Sequence, residues 1–470
     1  MTERTCDLVV IGAGPGGYVA AARGARYGLD TVLVEKDDRL GGTCGLRGCI
    51  PTKALIQSAR TWELCRKGAR TFGVTVGEAA FAWDKVLKRK DLVVRKVSLG
   101  VAALVERSGV EVVRGHGRLD GPGRVVVARE GEDPLTITAA KVILATGSTT
   151  SRIPGIEPDG ARVLTSDHLL SISAVPDSLI ILGAGAVGVE FADVMNAFGC
   201  RVTLVEMLER IIPLEDADCS AELAHALGRK GVKIHAGHRA SDVSVGADGV
   251  SARLTDVASG EEVTVTAEKL LVAAGRRPVT DDLGLDTVDA VVDRRGFVQV
   301  DGLMETAVPG LFAIGDIVAT PQLAHLASAE AEVAAARAAG RAAAPLDLDR
   351  VPGCTYTSPE VASVGLSEAE ARARGHEIAV GRYEFAALGK ASILNEPHGF
   401  VKVVKDTETG SVLGVHMVGP HVTDLIAEAC VALGAGLDAE RWARVIHPHP
   451  TLSEAVAEAL HAANGEALHG

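Results

Sequence analysis

Two of the eight cysteines, Cys44 and Cys49, stand close together, and the other six are dispersed along the chain. Dispersed cysteines commonly serve as small buried apolar residues. A structural zinc site would need two pairs with closer spacing, and the sequence has no matching second pair. In a cytosolic protein a catalytic disulfide that cycles is expected rather than a structural one. Cys44 and Cys49 are therefore candidates for a redox-active dithiol.

The residues around Cys49 favour a helix that begins near the second cysteine. Pro51 suits a first helical turn, and residues 53–58 are good helix formers. The N-terminal end of a helix stabilises a thiolate, which lowers the pKa of the thiol and raises its reactivity at neutral pH. This arrangement predicts a reactive dithiol beside whatever the preceding segment binds.

Two glycine-rich turns of the form Gly-x-Gly-x-x-Gly follow short apolar runs and precede helical stretches. In such turns the first glycine makes the turn, the second admits a pyrophosphate, and the third lets the helix pack on the strand. An acid stands 18 residues after the last glycine of each motif, where the ribose hydroxyls of a dinucleotide would lie. The two motifs are copies, because a shift of 171 residues carries Gly12, Gly14, Gly17, Gly28 and Glu35 onto Gly183, Gly185, Gly188, Gly199 and Glu206.

The acid of the second motif selects between nicotinamide cofactors. A carboxylate accepts hydrogen bonds from a free 2′-hydroxyl but repels a 2′-phosphate, so Glu206 favours NAD over NADP. Arg210 is a nearby cation that could accommodate a phosphate, but it lies four residues beyond the acid and carries little weight.

The repeat predicts an α/β fold with two Rossmann-like dinucleotide-binding domains. Strands are expected at residues 8–11, 31–34, 142–145, 179–182, 202–205, 270–273 and 311–314. From Cys354 to Val418 the chain alternates as β-strands do, and helices are expected from Asp424 and Leu452. This second pattern predicts a C-terminal α+β domain, joined through residues 345–352.

The length of the chain restricts the expected number of domains, and its net charge restricts the expected kinds of partner. The 470 residues favour about three domains. Lys and Arg number 48 against 61 Asp and Glu, and the net charge of −13 makes nucleic acid and anionic membrane surfaces unexpected partners. Residues 8–22 imitate a signal-peptide core, but Asp7 and four internal glycines argue against one. We expect a cytoplasmic protein without a bound metal or a membrane span.

Residues 41–53 read GGTCGLRGCIPTK and resemble the redox motif of class I pyridine nucleotide-disulfide oxidoreductases. That motif joins Gly-Gly-Thr-Cys to Cys-Ile-Pro-Ser/Thr-Lys through a four-residue spacer. The resemblance covers the whole chain and implies that its C-terminal α+β domain is a dimerisation domain. It also implies four domains in order: FAD-binding (1–150), NAD-binding (151–275), central and completing the FAD site (276–348), and interface or dimerisation (349–470).

The same resemblance implies roles for individual residues. FAD is expected to contact Gly12, Gly14, Gly17, Glu35, Gly147, Gly315, Asp316 and Ala324. NAD is expected to contact Gly183, Gly185, Gly188, Glu206, Gly275 and Arg276. Lys53 is expected near the flavin and paired with Glu190, which would keep the cation in place. In the segment HPHPTLSE, His449 is expected to take a proton from the substrate dithiol, and Glu454 to orient that histidine.

The resemblance is strongest to members that oxidise protein-bound dihydrolipoamide through a Cys44–Cys49 disulfide and FAD, and reduce NAD to NADH. It implies a homodimer, in which His449 serves the active site of the other subunit. The implied partner is a lipoyl domain or lipoyl carrier protein of a 2-oxo acid dehydrogenase, glycine cleavage or related system.

Two alternatives stay open. One is another NAD(P)H-dependent flavoprotein disulfide reductase. The other is an electron-transfer or assembly partner of a specialised lipoyl protein, with low activity on free lipoamide. Residues 45–48, Gly-Leu-Arg-Gly, depart from the commonest spacer, and Gly45 leaves the backbone beside Cys44 freer than usual. This departure leaves the preferred lipoyl partner open.

Overall fold

The structure, a computed structural model, describes residues 2–469 and divides into two compact units. The first unit comprises the residues up to Ala54, Leu87–Ser151 and Gly275–Leu346, and the second comprises Leu55–Val86, Arg152–Ala274 and the residues from Asp347 onward. Three of the boundaries fall near residues 150, 275 and 348, but residues 55–86, which the sequence places in the first domain, group with the second unit, and the division into four domains stays a prediction. The assignment of a role to each segment stays a prediction.

The first unit is built on a seven-stranded sheet with a parallel centre. Its strands run in the order Glu111–Arg114, Thr31–Glu35, Thr2–Ile11, Leu135–Leu144, Arg124–Ala128 and His116–Leu119, and Leu311–Ala313 pairs in parallel with Leu135–Leu144. Val9 and Ile11 pack into one hydrophobic core, while Leu8 and Val10 pack into the core on the opposite face. Because both faces are buried, the strand is apolar at every one of these positions.

The helices of the first unit follow the glycine turns and cover the sheet. Pro15–Arg26 packs against Ala324–Ala338, and a Cβ on Gly16 would lie 3.1 Å from the carbonyl oxygen of Ala327. Glycine and alanine thus let these two helices approach closely. The remaining elements are the helix Gly42–Arg47, the helices Cys49–Glu63 and Trp83–Arg107, of which residues 55–63 and 83–86 group with the second unit, the short helices Leu285–Val288 and Gly315–Ile317, and the paired strands Ser148–Thr150 and Arg276–Pro278.

The second unit contains a parallel sheet that repeats the centre of the first. Its strands run in the order Lys233–His235, Arg201–Val205, Ser178–Leu182, Lys269–Val272 and Val163–Leu164, and its helices are Ser166–Leu169, Ala186–Ala197 and Ala217–Arg229. A three-stranded antiparallel sheet of His238–Gly246, Gly249–Asp256 and Glu262–Ala267 stands beside it. The sequence interpretation did not include this second sheet.

The C-terminal part of the second unit has the expected α+β arrangement. Its antiparallel sheet runs Gly353–Thr355, Glu360–Gly365, Val412–Gly419, Phe400–Asp406 and Ile378–Glu384. Its helices are Glu368–Ala373, Gly389–Leu394, Val422–Gly434, Ala439–Ala443 and Glu454–Ala463, with short turns at Leu64–Gly68, Ala69–Phe72, Leu348–Arg350 and Phe385–Ala387 elsewhere in the unit. Trp442 and Phe385 fill the core between helices and sheet. The fold class predicted from the sequence is confirmed.

Within residues 2–469, none of the helices combines the length and apolar character that a membrane crossing requires. Over the same residues, no group of three or more His, Cys, Asp or Glu side chains is arranged to hold a metal ion.

Candidate active site

The first glycine turn is shaped by contacts that leave no room for a side chain. Gly12 has a φ of +101°, and a Cβ there would overlap the carbonyl oxygen of Ala145. A Cβ on Gly17 would overlap the carbonyl oxygen of Gly12. Gly14 is the N-cap of Pro15–Arg26, so the first backbone N–H groups of that helix are available to an anion. This geometry fits a dinucleotide pyrophosphate.

Glu35 lies at the end of the second strand with its carboxylate held in place. One oxygen accepts a hydrogen bond from the Ala13 N–H at 2.7 Å, and the other accepts from the Asp37 N–H at 2.8 Å. A carboxylate has about four acceptor sites, so two remain for the hydroxyls of a ribose. The position fits the role that the sequence predicts for Glu35.

The second glycine turn has the same geometry. Gly183 has a φ of +100°, and a Cβ there would lie 2.5 Å from the carbonyl oxygen of Ala273. Glu206 accepts hydrogen bonds from the N–H groups of Ala184 at 2.7 Å and Leu208 at 3.0 Å. A Cβ on Gly188 would overlap the carbonyl oxygen of Gly183. The internal repeat is therefore a repeat of turn geometry as well as of sequence.

The cysteine pair lies directly beside the first glycine turn. Cys44 is in the short helix Gly42–Arg47, and a Cβ on Gly42 would lie 2.5 Å from the Cα atom of Gly14. Cys49 is the first residue of the helix Cys49–Glu63, as the sequence predicts. The two backbones approach this closely only because both residues at the contact are glycines.

The thiols of Cys44 and Cys49 are within hydrogen-bonding reach of each other, so the two sulfurs that a cycling disulfide would join are neighbours. The hydrogen bond with Cys49 raises the pKa of the Cys44 thiol, burial raises it further, and the positive charge of Lys53 acts in the opposite direction. Lys53 lies one turn beyond Cys49 in the same helix.

The segment around Asp316 is fixed by a buried acid that sequence reasoning missed. Glu330 is fully buried in the alanine-rich helix Ala324–Ala338. Its carboxylate accepts hydrogen bonds from the Gly315 N–H at 2.6 Å and from the Thr320 hydroxyl at 2.7 Å. Burial raises the pKa of Glu330, and these two hydrogen bonds partly offset the rise. A glutamate at a buried position of an otherwise alanine-rich stretch was the available signal.

Arg276 lies in the first unit and contacts groups at the predicted flavin side. Its guanidinium donates to the side-chain oxygen and to the carbonyl oxygen of Ser148, both at 2.7 Å, and lies 4.0 Å from Asp316. The Ser148 hydroxyl in turn donates to Asp316. The sequence placed Arg276 among the NAD contacts, and that role stays a prediction. Gly147 and Gly275 flank these residues with φ values of +74° and +96°.

His449 and Glu454 form the pair that the sequence predicts. The Nδ1 atom of His449 lies 2.8 Å from a carboxylate oxygen of Glu454, and the imidazole is 79% exposed. Glu454 begins the last helix, and its other oxygen accepts from the Thr451 N–H at 2.8 Å. Burial raises the pKa of Glu454, but the hydrogen bonds from Thr451 and His449 outweigh it and lower the pKa overall. An ionised carboxylate thus orients a histidine whose ring is mostly exposed.

A second histidine–glutamate pair lies next to this one. The Nε2 atom of His447 lies 2.7 Å from Glu428, which also accepts from the indole N–H of Trp442 at 2.9 Å. The hydrogen bond to Glu428 raises the pKa of His447, and burial opposes it. Because both of its ring nitrogens are engaged, His447 anchors the segment, and the role of His449 as the base stays a prediction.

The predicted residues fall into two groups. The first unit brings together the cysteines, Lys53 and the residues expected to contact FAD. The second unit contains the second glycine turn, the His449–Glu454 pair and Glu190, which is buried and accepts a hydrogen bond from the Tyr356 N–H at 3.0 Å. The pairing of Lys53 with Glu190 stays a prediction.

These features are those of a nucleotide-dependent dithiol–disulfide oxidoreductase: two dinucleotide turns, a vicinal dithiol beside one of them, and an oriented histidine. Comparison with known families agrees. Residues 6–331 match the model of pyridine nucleotide-disulphide oxidoreductases, and residues 351–460 match the dimerisation domain of the same family. The chain belongs to the pyridine nucleotide-disulphide oxidoreductase family, and its dimerisation domain supports a homodimer.

Similar proteins extend over nearly the whole chain. A dihydrolipoyl dehydrogenase of Bacillus subtilis is 43% identical over 98% of this chain and 99% of its own length. One of Chlorobaculum tepidum is 44% identical over 96% of both chains. Among solved structures, LpdA from Mycobacterium tuberculosis has a TM-score of 0.89 at 28% identity, covering 98% of this chain and 99% of its own.

A further solved structure is a Cu(II) complex of the HOCl-induced flavoprotein disulfide reductase RclA from Escherichia coli. It has a TM-score of 0.85 at 27% identity and covers 97% of this chain and 99% of its own. The likeness of these structures therefore includes both units of the present chain.

Proposed function

We propose that this protein oxidises protein-bound dihydrolipoamide to lipoamide and reduces NAD to NADH. The observation that carries the proposal is the Cys44–Cys49 pair at the start of a helix, in a segment whose Gly42 packs against Gly14 of the first glycine turn. Relatives named dihydrolipoyl dehydrogenase, at 43% and 44% identity over almost the full length, support the choice of substrate.

The cofactors are FAD at the first turn and NAD at the second. The Gly12 turn, Glu35 and the Gly315–Asp316 segment fit FAD, because they offer helix N–H groups and two carboxylates with acceptor capacity left. Glu206 suits the free 2′-hydroxyl of NAD. FAD held by these residues would supply the two-electron chemistry that links the dithiol to NAD.

The protein's own groups carry the thiol chemistry. His449 takes a proton from one thiol of dihydrolipoamide, and the resulting thiolate attacks the Cys44 sulfur of the oxidised pair. The Cys44–Cys49 bond breaks, a mixed disulfide forms, and Cys49 leaves as a thiolate stabilised by the helix N-terminus. The second substrate thiol then attacks the substrate sulfur of the mixed disulfide. Lipoamide departs and the protein retains the reduced pair.

The histidine acts across a homodimer. His449 is highly exposed and belongs to the C-terminal part of the second unit, which matches the dimerisation domain. In the proposed dimer it serves the cysteine pair of the other subunit, and Glu454 keeps its Nε2 atom available as the base. The natural substrate is dihydrolipoamide carried on a lipoyl domain or lipoyl carrier protein of a 2-oxo acid dehydrogenase, glycine cleavage or related system.

A pair of assays on one preparation tests the reaction. Reduction of NAD by dihydrolipoamide is compared with reduction of glutathione disulfide by NADPH. We expect the first to exceed the second by orders of magnitude, since Glu206 repels a 2′-phosphate. Faster glutathione reduction would refute the proposal in favour of another disulfide reductase. Binding to a lipoyl protein with negligible turnover of either substrate would favour an electron-transfer or assembly role.

Serine variants test the order of attack. Cys44→Ser and Cys49→Ser should both abolish NAD-linked turnover. Incubated with oxidised lipoamide, whose own disulfide bond breaks in the exchange, Cys49→Ser should form a mixed disulfide between Cys44 and a lipoyl sulfur, measured as added mass under non-reducing conditions, whereas Cys44→Ser should not. Cys65→Ser is the matched control, because Cys65 is an exposed cysteine just beyond the same helix, and its loss should leave turnover unchanged. A substrate adduct at Cys49 would reverse the proposed roles.

A further inference from the structure

One exposed face of the helix Trp83–Arg107 carries five cations and two leucines. These seven residues, which we call the basic stripe, are Lys85, Lys88, Arg89, Leu92, Arg95, Lys96 and Leu99. Their spacings of three and four residues place them in one row, and the row extends for about 21 Å at 1.5 Å per residue. Asp84 and Asp91 border one edge of the row, since Asp91 lies three residues from Lys88 and four from Arg95, and the positions of the row itself are basic or apolar.

The burial pattern shows that the basic stripe faces away from the fold, except for the Arg89 guanidinium, which reaches back to the neighbouring helix. Val94, Ser98 and Val105 lie on the opposite side of the helix and are buried. Leu92 is 66% exposed and Leu99 is 59% exposed, although a helix in this position could place polar residues there at no cost in packing. Large apolar side chains that lie exposed within a charged border are typical of protein interaction surfaces.

The basic stripe lies on a helix that packs beside the dithiol segment. Arg89 donates to the carbonyl oxygen of Ala54 at 3.2 Å, and Ala54 is in the helix that begins with Cys49. From the buried side of the same helix, the Ser98 hydroxyl donates to the carbonyl oxygen of Leu40 at 2.8 Å, just before the segment that carries Cys44. A partner bound to the stripe is therefore held next to the redox pair.

We propose that the basic stripe docks the acidic face of the lipoyl-bearing partner domain and so delivers its dihydrolipoyl arm to the dithiol. This inference rests on the proposed function. Five cations in a protein of net charge −13 form a local field opposite in sign to the rest of the molecule. Such a field attracts and orients an acidic partner and raises its association rate, most strongly at low salt. The two leucines supply apolar contact once the partner is seated.

Charge also favours an acidic partner domain over two other possible occupants of the stripe, a second copy of this chain and an extended polyanion. A second copy that paired stripe to stripe about a two-fold axis would set five cations against five cations. An extended polyanion would meet the stripe but also the surrounding acidic surface, because the net charge of −13 remains after the stripe's own positive charges are counted. A compact domain with a single acidic face suits a stripe of limited length.

A charge-reversal variant tests the docking surface. Lys85→Glu, Arg95→Glu and Lys96→Glu are combined, since all three residues are exposed. The matched control combines Arg229→Glu, Arg239→Glu and Arg294→Glu, which are exposed positions off the stripe with the same change in charge. Each protein is assayed with free dihydrolipoamide and with a recombinant reduced lipoyl domain of net negative charge, at low and high salt.

For the stripe variant we expect kcat/KM on the lipoyl domain to fall about tenfold at low salt, and its salt dependence to disappear. Activity on free dihydrolipoamide and all values for the control should match the wild type. Leu92→Ser with Leu99→Ser should lower kcat/KM on the lipoyl domain at high salt too, where screening has removed the charge attraction.

Four results overturn the docking proposal: an unchanged kcat/KM on the lipoyl domain, an equal fall on free dihydrolipoamide, an equal effect of the control, or a change from dimer to monomer in light scattering. The last would assign the stripe to contact between copies of this chain. Failure of the wild type to oxidise either substrate would instead overturn the proposed function, so the two failures are distinguishable.

Discussion

Replacing Arg276 by methionine separates a flavin-side role for this residue from a nicotinamide-side role. The guanidinium donates two hydrogen bonds of 2.7 Å to Ser148, whose hydroxyl donates to Asp316. Each hydrogen bond from a charged donor stabilises by about 1.5–3 kcal/mol when shielded from water. The Arg276 side chain is 23% exposed, so we take about 2 kcal/mol for the two bonds together. Arg276 thus acts as a positioning residue for Asp316.

If that loss is transmitted fully to Asp316, FAD affinity falls about 30-fold, because 1.4 kcal/mol corresponds to a factor of ten. The assay titrates FAD into the flavin-free variant and follows flavin fluorescence, and the KM for NAD is measured separately at saturating FAD. Arg277→Met is the control, since Arg277 forms an exposed ion pair with Asp281 and makes no such bridge. A raised KM for NAD with unchanged FAD affinity would refute the reasoning and return Arg276 to the NAD site.

Gly185→Ala should raise the KM for NAD by about tenfold or more, equivalent to 1.4 kcal/mol. The melting temperature should not change, because a Cβ on residue 185 meets no protein atom within 4 Å. Steady-state kinetics and calorimetry check this, and Gly183→Ala, whose Cβ would lie 2.5 Å from the carbonyl oxygen of Ala273, should lower the melting temperature instead. Lys402→Met should lower the free energy of unfolding by about 3–5 kcal/mol in urea, because the variant leaves Asp216 buried without its cation. The exposed control Arg382→Met should cost less than about 1 kcal/mol, and equal losses would contradict the argument. Glu454→Gln should remove a stabilising contribution of the ionised carboxylate. That contribution is complete above about pH 4.3, the pKa of Glu454 in the unfolded chain, and is lost as the pH falls through its lower pKa in the folded protein. If the difference in stability between wild type and variant grew on acidification instead, the sign of the argument would be wrong.

Local features of the sequence determined much of the fold. The strands at residues 8–11 and 179–182 were recognisable because a strand buried on both faces tolerates no polar residue. The glycine turns were recognisable because their backbone geometry excludes a side chain, so residue type and conformation are tied together. The start of a helix at Cys49 followed from Pro51 and the helix formers after it.

Other elements carried weaker local signals. The antiparallel sheet of residues 238–267 was missed because its exposed strands mix polar and apolar residues, and only pairing with their neighbours defines them. The basic stripe could not be recognised from the sequence either, since a row of cations along a helix is known to face solvent only when the buried side of that helix is known.

The residue types and spacing of Cys44 and Cys49 were sufficient to predict a reactive dithiol, whereas the roles of His449 and Glu454 followed only from the resemblance to the family's C-terminal motif. The tertiary structure alone decided what holds those groups in position. Glu330 supports the Asp316 segment from 14 residues away, and Arg276 reaches Ser148 from 128 residues away. Such contacts join residues that are distant in the chain, and their energies depend on burial and on distances of a few ångströms, which only the folded backbone sets.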